Sequence, residues 1–595
     1  MIILGINEEH NSTAALNKDG KIIYCASEER ISRIKNDNGY PWQTINNALK
    51  ETGIKTSQID QVVYTVKEQD PIALKTKRIT RFKISDYIRE MHEHWKPILL
   101  ENKPSHFYEN LLKESRFNDE NNQYYNFDFI KTTPRNKWVE VFNQERKNIV
   151  ARQLNINPEK VIFHDHHQCH AYYAYYASII NRRTRAAVIT ADGWGDGYNA
   201  TIWLAENGKL KKIFGTKLCN LARIYRFITL LLGMKPFEHE YKVMGLAPYA
   251  KNYIAKPAYN VFKKTLIVDG LDFKWQEKPS DLYFYFQKKL EGCRFDGIAA
   301  GLQKWTEDLL VEWFSNIVNH LKVDTVAYSG GLSMNVKNNQ VINQIPQIKN
   351  FFIPPSGGDE STAIGASYIA SIEKSVIPIP LSSAYLGYTI TNQEIEDLLD
   401  NNKIIDNPYY QVIFNVSPSK IASLLDQNKI IARCAGPMEF GARALGNRSI
   451  ICNPSCFENL RLINEKIKFR DFWMPFTPTI LDYRASDYLI NPKNTSASFM
   501  TIAFDTTSLA RQHLAAAIHP YDFTARPQVL TKDINPDYYA IIEAFAKKTG
   551  IGGVLNTSLN LHGQPIDRNA SDAWHTFTHS DLDAIILNKT LIIKN

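Results

Sequence analysis

One pattern of strands occurs twice in this chain, and it narrows the possible folds more than any other feature. Ile2 to Ile6 reads as a strand and Ser12 to Asn17 as a second, and Asp19-Gly20 turns into a third at Lys21 to Ala26. The series returns as Ala187 to Thr190, a Gly/Asp-rich turn, Ala200 to Ala205, Asn207-Gly208 and Lys209 to Phe214. Asp-Gly and Asn-Gly suit two-residue hairpin turns because both residues tolerate positive φ. The repetition predicts an internally duplicated α/β domain.

Duplicated strand-rich halves of this kind suggest, by fold analogy, a nucleotide-handling domain of the actin and sugar-kinase type. Asn11 to Thr13 and Asp192 to Asp196 then become equivalent turns on opposite walls. At roughly 100 to 200 residues per domain, a chain of 595 residues suggests two large domains. The Pro-containing stretch Val376 to Pro380 is the expected linker, giving domains at 1–375 and 376–595. Residues 65–160 are polar, charged and mostly helical in pattern, with a low-hydrophobicity stretch at Asn118 to Asn122, and read as an insertion. Phe295 to Leu321 predicts a long amphipathic helix, Asp324 to Tyr328 a strand, and Glu240 to Tyr249 a loop.

Composition excludes several classes. Apolar residues make up 44% and charged residues 22%, near ordinary soluble values, and no apolar run approaches the roughly 20 residues that span a bilayer. The N-terminus lacks a basic leader and turns acidic at Glu8-Glu9, so the cytoplasm is the expected compartment. The seven scattered cysteines contain no CxxC pair and argue against a disulfide framework or a zinc ribbon. The net charge of +8 permits nucleic-acid binding without establishing it. The basic run Lys75, Lys77, Arg78, Arg81 and Lys83 reads as a solvated helical face rather than a binding patch.

Three groups of residues carry candidate chemistry. In His164-Asp165-His166-His167-Gln168-Cys169-His170 the helical pattern puts His166 and His170 one turn apart on one face. Such a pair is either a metal site or ordinary hydrogen-bonded histidines at a helix start. Two stretches with glycine-flanked acidic groups, Asp192-Gly193-Trp194-Gly195-Asp196 and Gly358-Asp359-Glu360, offer the one or two carboxylates that with the imidazoles would make an N/O site for a divalent metal. Strand-end Ser329-Gly330-Gly331 would let backbone amides approach a nucleotide, with Asn335 following. Arg443, Arg448, Lys468, Arg470 and Arg526 stand among glycine and small residues, either as phosphate ligands or as structural ion-pair partners of Glu439 and Glu465. Asn556 lies in a closing Asn-Thr-Ser-Leu-Asn motif suited to a nucleotide site.

Taken in order, LGINEEHNSTAAL, EERISRIK, DHHQCHA, ADGWGDG, KVMGLAPY, SGGLSMNVKNN, GGDESTAIGAS, MEFGARALGNRSI, IKFRDFWMPFTPTIL, TARPQ and NTSLN resemble the O-carbamoyltransferase family across nearly the whole chain. That family includes nodulation-factor, cephem, aminoglycoside and ansamycin carbamoyltransferases. The resemblance implies an N-terminal domain similar to the tRNA threonylcarbamoyl-transferase and a YrdC-like C-terminal domain. The latter would make carbamoyladenylate from carbamoyl phosphate and ATP; the former would pass the carbamoyl group to an acceptor hydroxyl. It further implies His166, His170, Asp192 and Asp359 as ligands of a metal, Fe(II). His10 becomes the general base and Lys35 a holder of carbamoyl or phosphate oxygen. Arg443, Lys468 and Arg526 become the cations that receive the reacting anions. Pro437 and Met474 depart from the pattern, standing where many members carry cations, as do Asn36 for histidine and Ala222 for glycine. The expected partners are a small-molecule hydroxyl acceptor, ATP and carbamoyl phosphate, with no membrane and no nucleic acid. A tRNA-modifying enzyme and a non-catalytic nucleotide sensor are the competing readings.

Overall fold

The computed structural model describes residues 1–117 and 124–595. The stretch read as weakly hydrophobic at Asn118 to Asn122 lies outside the described residues. The chain divides into two compact units, Met1–Ser32 with Asn36–Pro380, and Arg33–Lys35 with Leu381–Asn595.

The first unit contains two five-stranded sheets of identical connectivity. One comprises β1 (Ile2–Asn7), β2 (Thr13–Lys18), β3 (Lys21–Ser27), β4 (Gln61–Tyr64) and β5 (Val161–Phe163), in spatial order β3-β2-β1-β4-β5. The other comprises β6 (Ala186–Gly195), β7 (Tyr198–Glu206) and β8 (Lys209–Thr216). After a separate hairpin of β9 (Leu266–Asp269) and β10 (Asp272–Trp275), it continues with β11 (Thr325–Ser329) and β12 (Asn350–Phe352), in order β12-β11-β6-β7-β8. In both, the first three strands are antiparallel and the last two run parallel to the first. This is the duplicated actin and sugar-kinase arrangement that the repeated hairpins predict. The turns behave as their residues require: φ is positive at both Asp19 and Gly20, and at both Asn207 and Gly208.

Strands β1 and β11 are buried along their whole length, which is why they read as continuous apolar runs rather than alternating ones. Over them pack the helices His166–Tyr176 and Thr362–Glu373, whose backbones approach closely: a Cβ on Gly365 would overlap the Cys169 carbonyl. The helix Phe295–Leu321 runs for 27 residues as predicted.

Two expectations need correction. Glu240 to Tyr249 is not a loop but a helix, Glu240–Leu246, followed by a single turn, Ala247–Tyr249. Gly245 and Pro248 read as breakers, yet burial of Val243, Met244 and Leu246 outweighs local preference, and Pro248 sits early in its turn, where no amide is needed. Nor is the basic run a solvated face. Arg78 Nη2 meets Glu90 Oε2 at 2.6 Å, with the Arg78 guanidinium 5.0 Å from the centre of the Tyr87 ring; Lys77 pairs with Asp37 at 3.0 Å.

The second unit is a mixed α/β fold with an eight-stranded sheet. Its order is Tyr410–Ile413, Thr590–Lys594, Ala584–Leu587, Ile431–Cys434, Arg448–Cys452, Gly553–Ser558, Thr477–Leu481 and Gln528–Leu530. Its core includes Ile395, Leu398, Ile450, Leu555, Phe577 and Ile585. All seven cysteines are free. Among the described residues no helix is long and apolar enough to cross a membrane.

Candidate metal centre and anion site

The helix His166–Tyr176 starts on Asp165, whose carboxylate accepts the Gln168 amide at 2.9 Å. That cap makes His166 the first helical residue and stacks His170 one turn below it, with ring centres 4.7 Å apart. Asp192 enters from an irregular stretch of β6 between Ala191 and Gly195, and Asp359 opens the short turn before Thr362–Glu373. His170 Nε2 lies 3.3 Å from Asp192 Oδ2 and 3.6 Å from Asp359 Oδ1; His166 Nε2 lies 3.9 and 3.8 Å from the same two atoms. One ligand atom from each of the four residues falls within 4.8 Å of all the others. Both Nε2 atoms are buried and lack a hydrogen-bond partner although they converge on the Asp192 and Asp359 oxygens. Two imidazoles and two carboxylates in that state fit a divalent cation.

The other ring nitrogens are held. His166 Nδ1 meets Glu9 Oε2 at 3.0 Å, and the His166 amide donates to Asp196 Oδ2 at 2.8 Å. His170 Nδ1 meets Ser329 Oγ at 3.2 Å. His167 turns away to Thr190 Oγ1 and the Tyr198 carbonyl and serves the packing. Burial opposes charge on Asp192, but the His166 and His170 imidazoles outweigh it and hold the carboxyl well below its ordinary range. Burial likewise opposes charge on His166, and Glu9, Asp192 and Asp359 nevertheless raise it well above an ordinary imidazole.

Glycines 330 and 331 do a different job from the one expected of them. The Gly330 amide donates to the Gly357 carbonyl and the Gly331 amide to Asp192 Oδ2 at 2.7 Å, so this loop aims a carboxylate rather than presenting both amides to a nucleotide. Gly330 has φ +102°, and a side chain there would strike the Ala191 backbone. Asn335 caps the helix Val336–Gln344, accepting the Lys337 and Asn338 amides, and donates to Gln303 Oε1 at 2.9 Å. His10 Nε2 donates to the Phe237 carbonyl at 2.8 Å, which leaves Nδ1 as the basic nitrogen.

In the second unit, Arg443 and Arg470 each lie within electrostatic reach of Arg526. Burial, then Arg443 and Arg470, push Arg526 well below an ordinary guanidinium, and its buried Nε has no hydrogen-bond partner. Lys468 is pushed well below an ordinary amine, first by burial and then by Arg470; Lys35, grouped with this unit, adds to the effect. The Lys468 ammonium is anchored on the closing motif, by the Ser558 carbonyl and by Asn560 Oδ1 at 2.8 Å. Arg470 Nε donates to Asn464 Oδ1 at 2.7 Å. Asn556 donates to the Ala444 carbonyl and to Thr479 Oγ1, and its own Oδ1 is buried without a partner. Arg448 is set apart. It is fully buried and donates to the carbonyls of Arg568, Ala435, Gly436 and Asn447, so its guanidinium braces loops. Glu439 accepts the Leu445, Asn447 and Arg448 amides, and Glu465 pairs with Arg461.

Sequence reasoning missed Glu9. The signal was an acidic residue immediately before His10, but its partner lies 157 residues away.

The comparisons with known proteins agree with this arrangement. Residues 2–368 match the family described as carbamoyltransferase N-terminus, and residues 422–594 the one described as carbamoyltransferase C-terminus. A protein of Methanocaldococcus jannaschii, named only as uncharacterized, is 30% identical over 100% of both chains. Nodulation protein NolNO of Sinorhizobium fredii is 25% identical over 98% of this chain and 79% of its own. Nodulation protein NolO of Bradyrhizobium diazoefficiens is 28% identical over 72% of this chain and 79% of its own. With both family regions matched in order and a relative aligned end to end, the chain is an enzyme that belongs to the carbamoyltransferase family.

Proposed function

We propose that the protein is an ATP-dependent O-carbamoyltransferase with two chemical sites. In the unit 381–595, water releases phosphate from carbamoyl phosphate and the resulting carbamate attacks the ATP α-phosphate, expelling pyrophosphate and forming carbamoyladenylate; in the unit 1–380, the carbamoyl group passes to a hydroxyl of a small-molecule acceptor and AMP leaves. The observation that carries the reading is the cationic group Arg443, Lys468, Arg470 and Arg526, in which burial and the neighbouring cations push Arg526 and Lys468 well below their ordinary ranges. Such a group is costly unless an anion joins it, and phosphates and carbamate are the anions of this reaction. Guanidinium groups there would neutralise the oxyanions of carbamate and of the ATP α-phosphate as they approach, lowering the barrier to their union. Lys35 would hold a carbamoyl or phosphate oxygen beside Lys468.

In the first unit His10 acts as general base. Because its Nε2–H is committed to the Phe237 carbonyl, the acceptor hydroxyl gives its proton to Nδ1. A divalent cation, Fe(II) by family likeness, would be held by His166, His170, Asp192 and Asp359 and would supply charge stabilisation at the adenylate phosphate as AMP leaves. Glu9 and Ser329 orient the two imidazoles, and the Gly331 amide orients Asp192.

The test separates the two sites. His170→Ala should keep carbamoyl-phosphate-dependent pyrophosphate release and lose carbamoyl transfer, whereas Arg443→Ala should lose both. Melting curves accompany each variant. Loss of pyrophosphate release in folded His170→Ala defeats the two-site scheme.

A further inference from the structure

A cluster beside His10 has no part in the reaction as described so far. The helix Leu221–Leu231 carries Arg223 and Arg226, both half-buried. The Arg226 guanidinium lies 4.5 Å from the Phe237 ring centre and 5.3 Å from that of Phe227. Arg78 approaches the same Phe237 ring at 5.3 Å, but Glu90 neutralises it through contacts of 2.6 to 3.1 Å. Arg226 and Arg223 have no such partner. Among the described residues Arg226 makes no hydrogen bond or ion pair, and the sole hydrogen bond of Arg223 is a long one, 3.4 Å, to Asn220 Oδ1. Glu240 and the engaged Glu90 lie within electrostatic reach of Arg226 without forming an ion pair with it, and Glu240 Oε1 accepts the Phe237 amide at 2.8 Å. Burial, then Arg78 and Arg223, push Arg226 down to about 10, as expected of a cation facing cations.

Phe237 fixes this cluster relative to the base. Its carbonyl holds His10 Nε2 at 2.8 Å, its ring centre is 6.4 Å from that of His10, and its backbone sits at φ +66°. A bulky residue adopts that conformation only where its surroundings impose it. The Arg226 guanidinium is therefore held against the ring of the residue whose carbonyl anchors His10, with Arg223 within its electrostatic reach and, among the described residues, neither arginine in an ion pair.

We propose that Arg223 and Arg226 form an acceptor subsite for an anionic oxygen group, a carboxylate or a phosphate monoester, and that the acceptor is therefore an anionic hydroxy compound. This rests on the O-carbamoyltransferase reading and specifies its substrate class. Arginine suits the role because its planar fork meets two oxygens at once.

The experiment has a binding arm and a transfer arm. Equilibrium dialysis of radiolabelled inorganic phosphate compares the wild type with Arg223→Gln/Arg226→Gln; the variant should bind one phosphate fewer per chain. Equal binding overturns the subsite whatever the enzyme does. For transfer, labelled carbamoyl phosphate and ATP are given with a metabolite extract split by anion exchange. Label should enter the anionic pool, and the double variant should lose at least about tenfold of that transfer while acceptor-independent pyrophosphate release is unchanged. Prior phosphatase treatment abolishes labelling if the group is phosphate and spares it if carboxylate. Label in the neutral or cationic pool overturns the proposal. Absence of both labelling and pyrophosphate release defeats the carbamoyltransferase reading instead, and phosphate binding then decides the subsite. If the double variant melts early, Arg226→Lys, which keeps the charge and loses the fork, takes its place in both arms and should show reduced phosphate binding.

Discussion

Replacing Glu9 tests whether the metal centre depends on a carboxylate outside the ligand set. Glu9 Oε2 stands 3.0 Å from His166 Nδ1, opposite the nitrogen that faces Asp192 and Asp359. When Nε2 ligates a cation, a carboxylate there holds the proton on Nδ1 and fixes the ring plane. Glu9→Ala removes both effects and leaves a ring nitrogen without an acceptor. Partners of this kind are worth 10- to 100-fold in metal affinity, or about 1.4 to 2.8 kcal/mol. Glu9→Gln keeps an acceptor oxygen and loses the charge, so its loss should be smaller, near the lower end of that range. Affinity for Co²⁺ is measured by competition with a chromophoric chelator, with His166→Ala as the reference for a lost ligand. If Glu9→Ala binds Co²⁺ as tightly as the wild type, His166 needs no orienting partner and the reasoning is refuted.

Two further predictions concern buried charge. Glu28 accepts the Gln43 and Thr44 amides and the Thr44 hydroxyl, and burial pushes it up to about 7. A carboxyl whose folded value is raised favours the folded state when protonated. Wild-type stability should therefore fall by about 3 kcal/mol relative to Glu28→Gln as the pH rises from about 4.5 to about 7, then level off; a pH-independent difference in denaturation midpoints contradicts this. Glu8 and Arg146 form a fully buried pair at 2.7 Å, with the Tyr125 hydroxyl also on Glu8. Arg146→Met should cost about 3 to 5 kcal/mol by stranding the carboxylate, and adding Glu8→Gln should recover part of it; denaturant titration of both variants gives the answer, and a double variant no more stable than the single one counts against the stranded-charge account.

Features that depend on near neighbours in the chain were legible. Asp19-Gly20 and Asn207-Gly208 announce their hairpins because two adjacent residues suffice to make the turn. His166 and His170 announce a shared face because a helix repeats over four residues. What depends on distant packing was not. Glu9 acquires its meaning from a histidine on another element, and Arg78 reads as surface charge until Glu90 and the rings of Phe82 and Tyr87 close over it. The helix Glu240–Leu246 was hidden by Gly245 and Pro248, since local preference is weak beside the burial of three apolar side chains. Gly331 was assigned to the right neighbourhood and the wrong partner: glycine reveals that a backbone amide is approachable, not what approaches it.

The ligand set is also scattered along the chain, and that bears on biosynthesis. His166 and His170 precede the second sheet, Asp192 lies on its first strand, and Asp359 follows its last. A nascent chain therefore cannot complete the site until Asp359 has emerged from the ribosome and the long intervening segment has folded back. Loading with a divalent ion would be a late event, gated by the second half of the repeat. A bound ion would stabilise every segment it ties together, by about 2.7 kcal/mol at a free concentration one hundred times its dissociation constant. Cells short of such a metal would then accumulate a first unit that is made but easily unfolded, and proteolysis would reveal the shortage before any assay of activity.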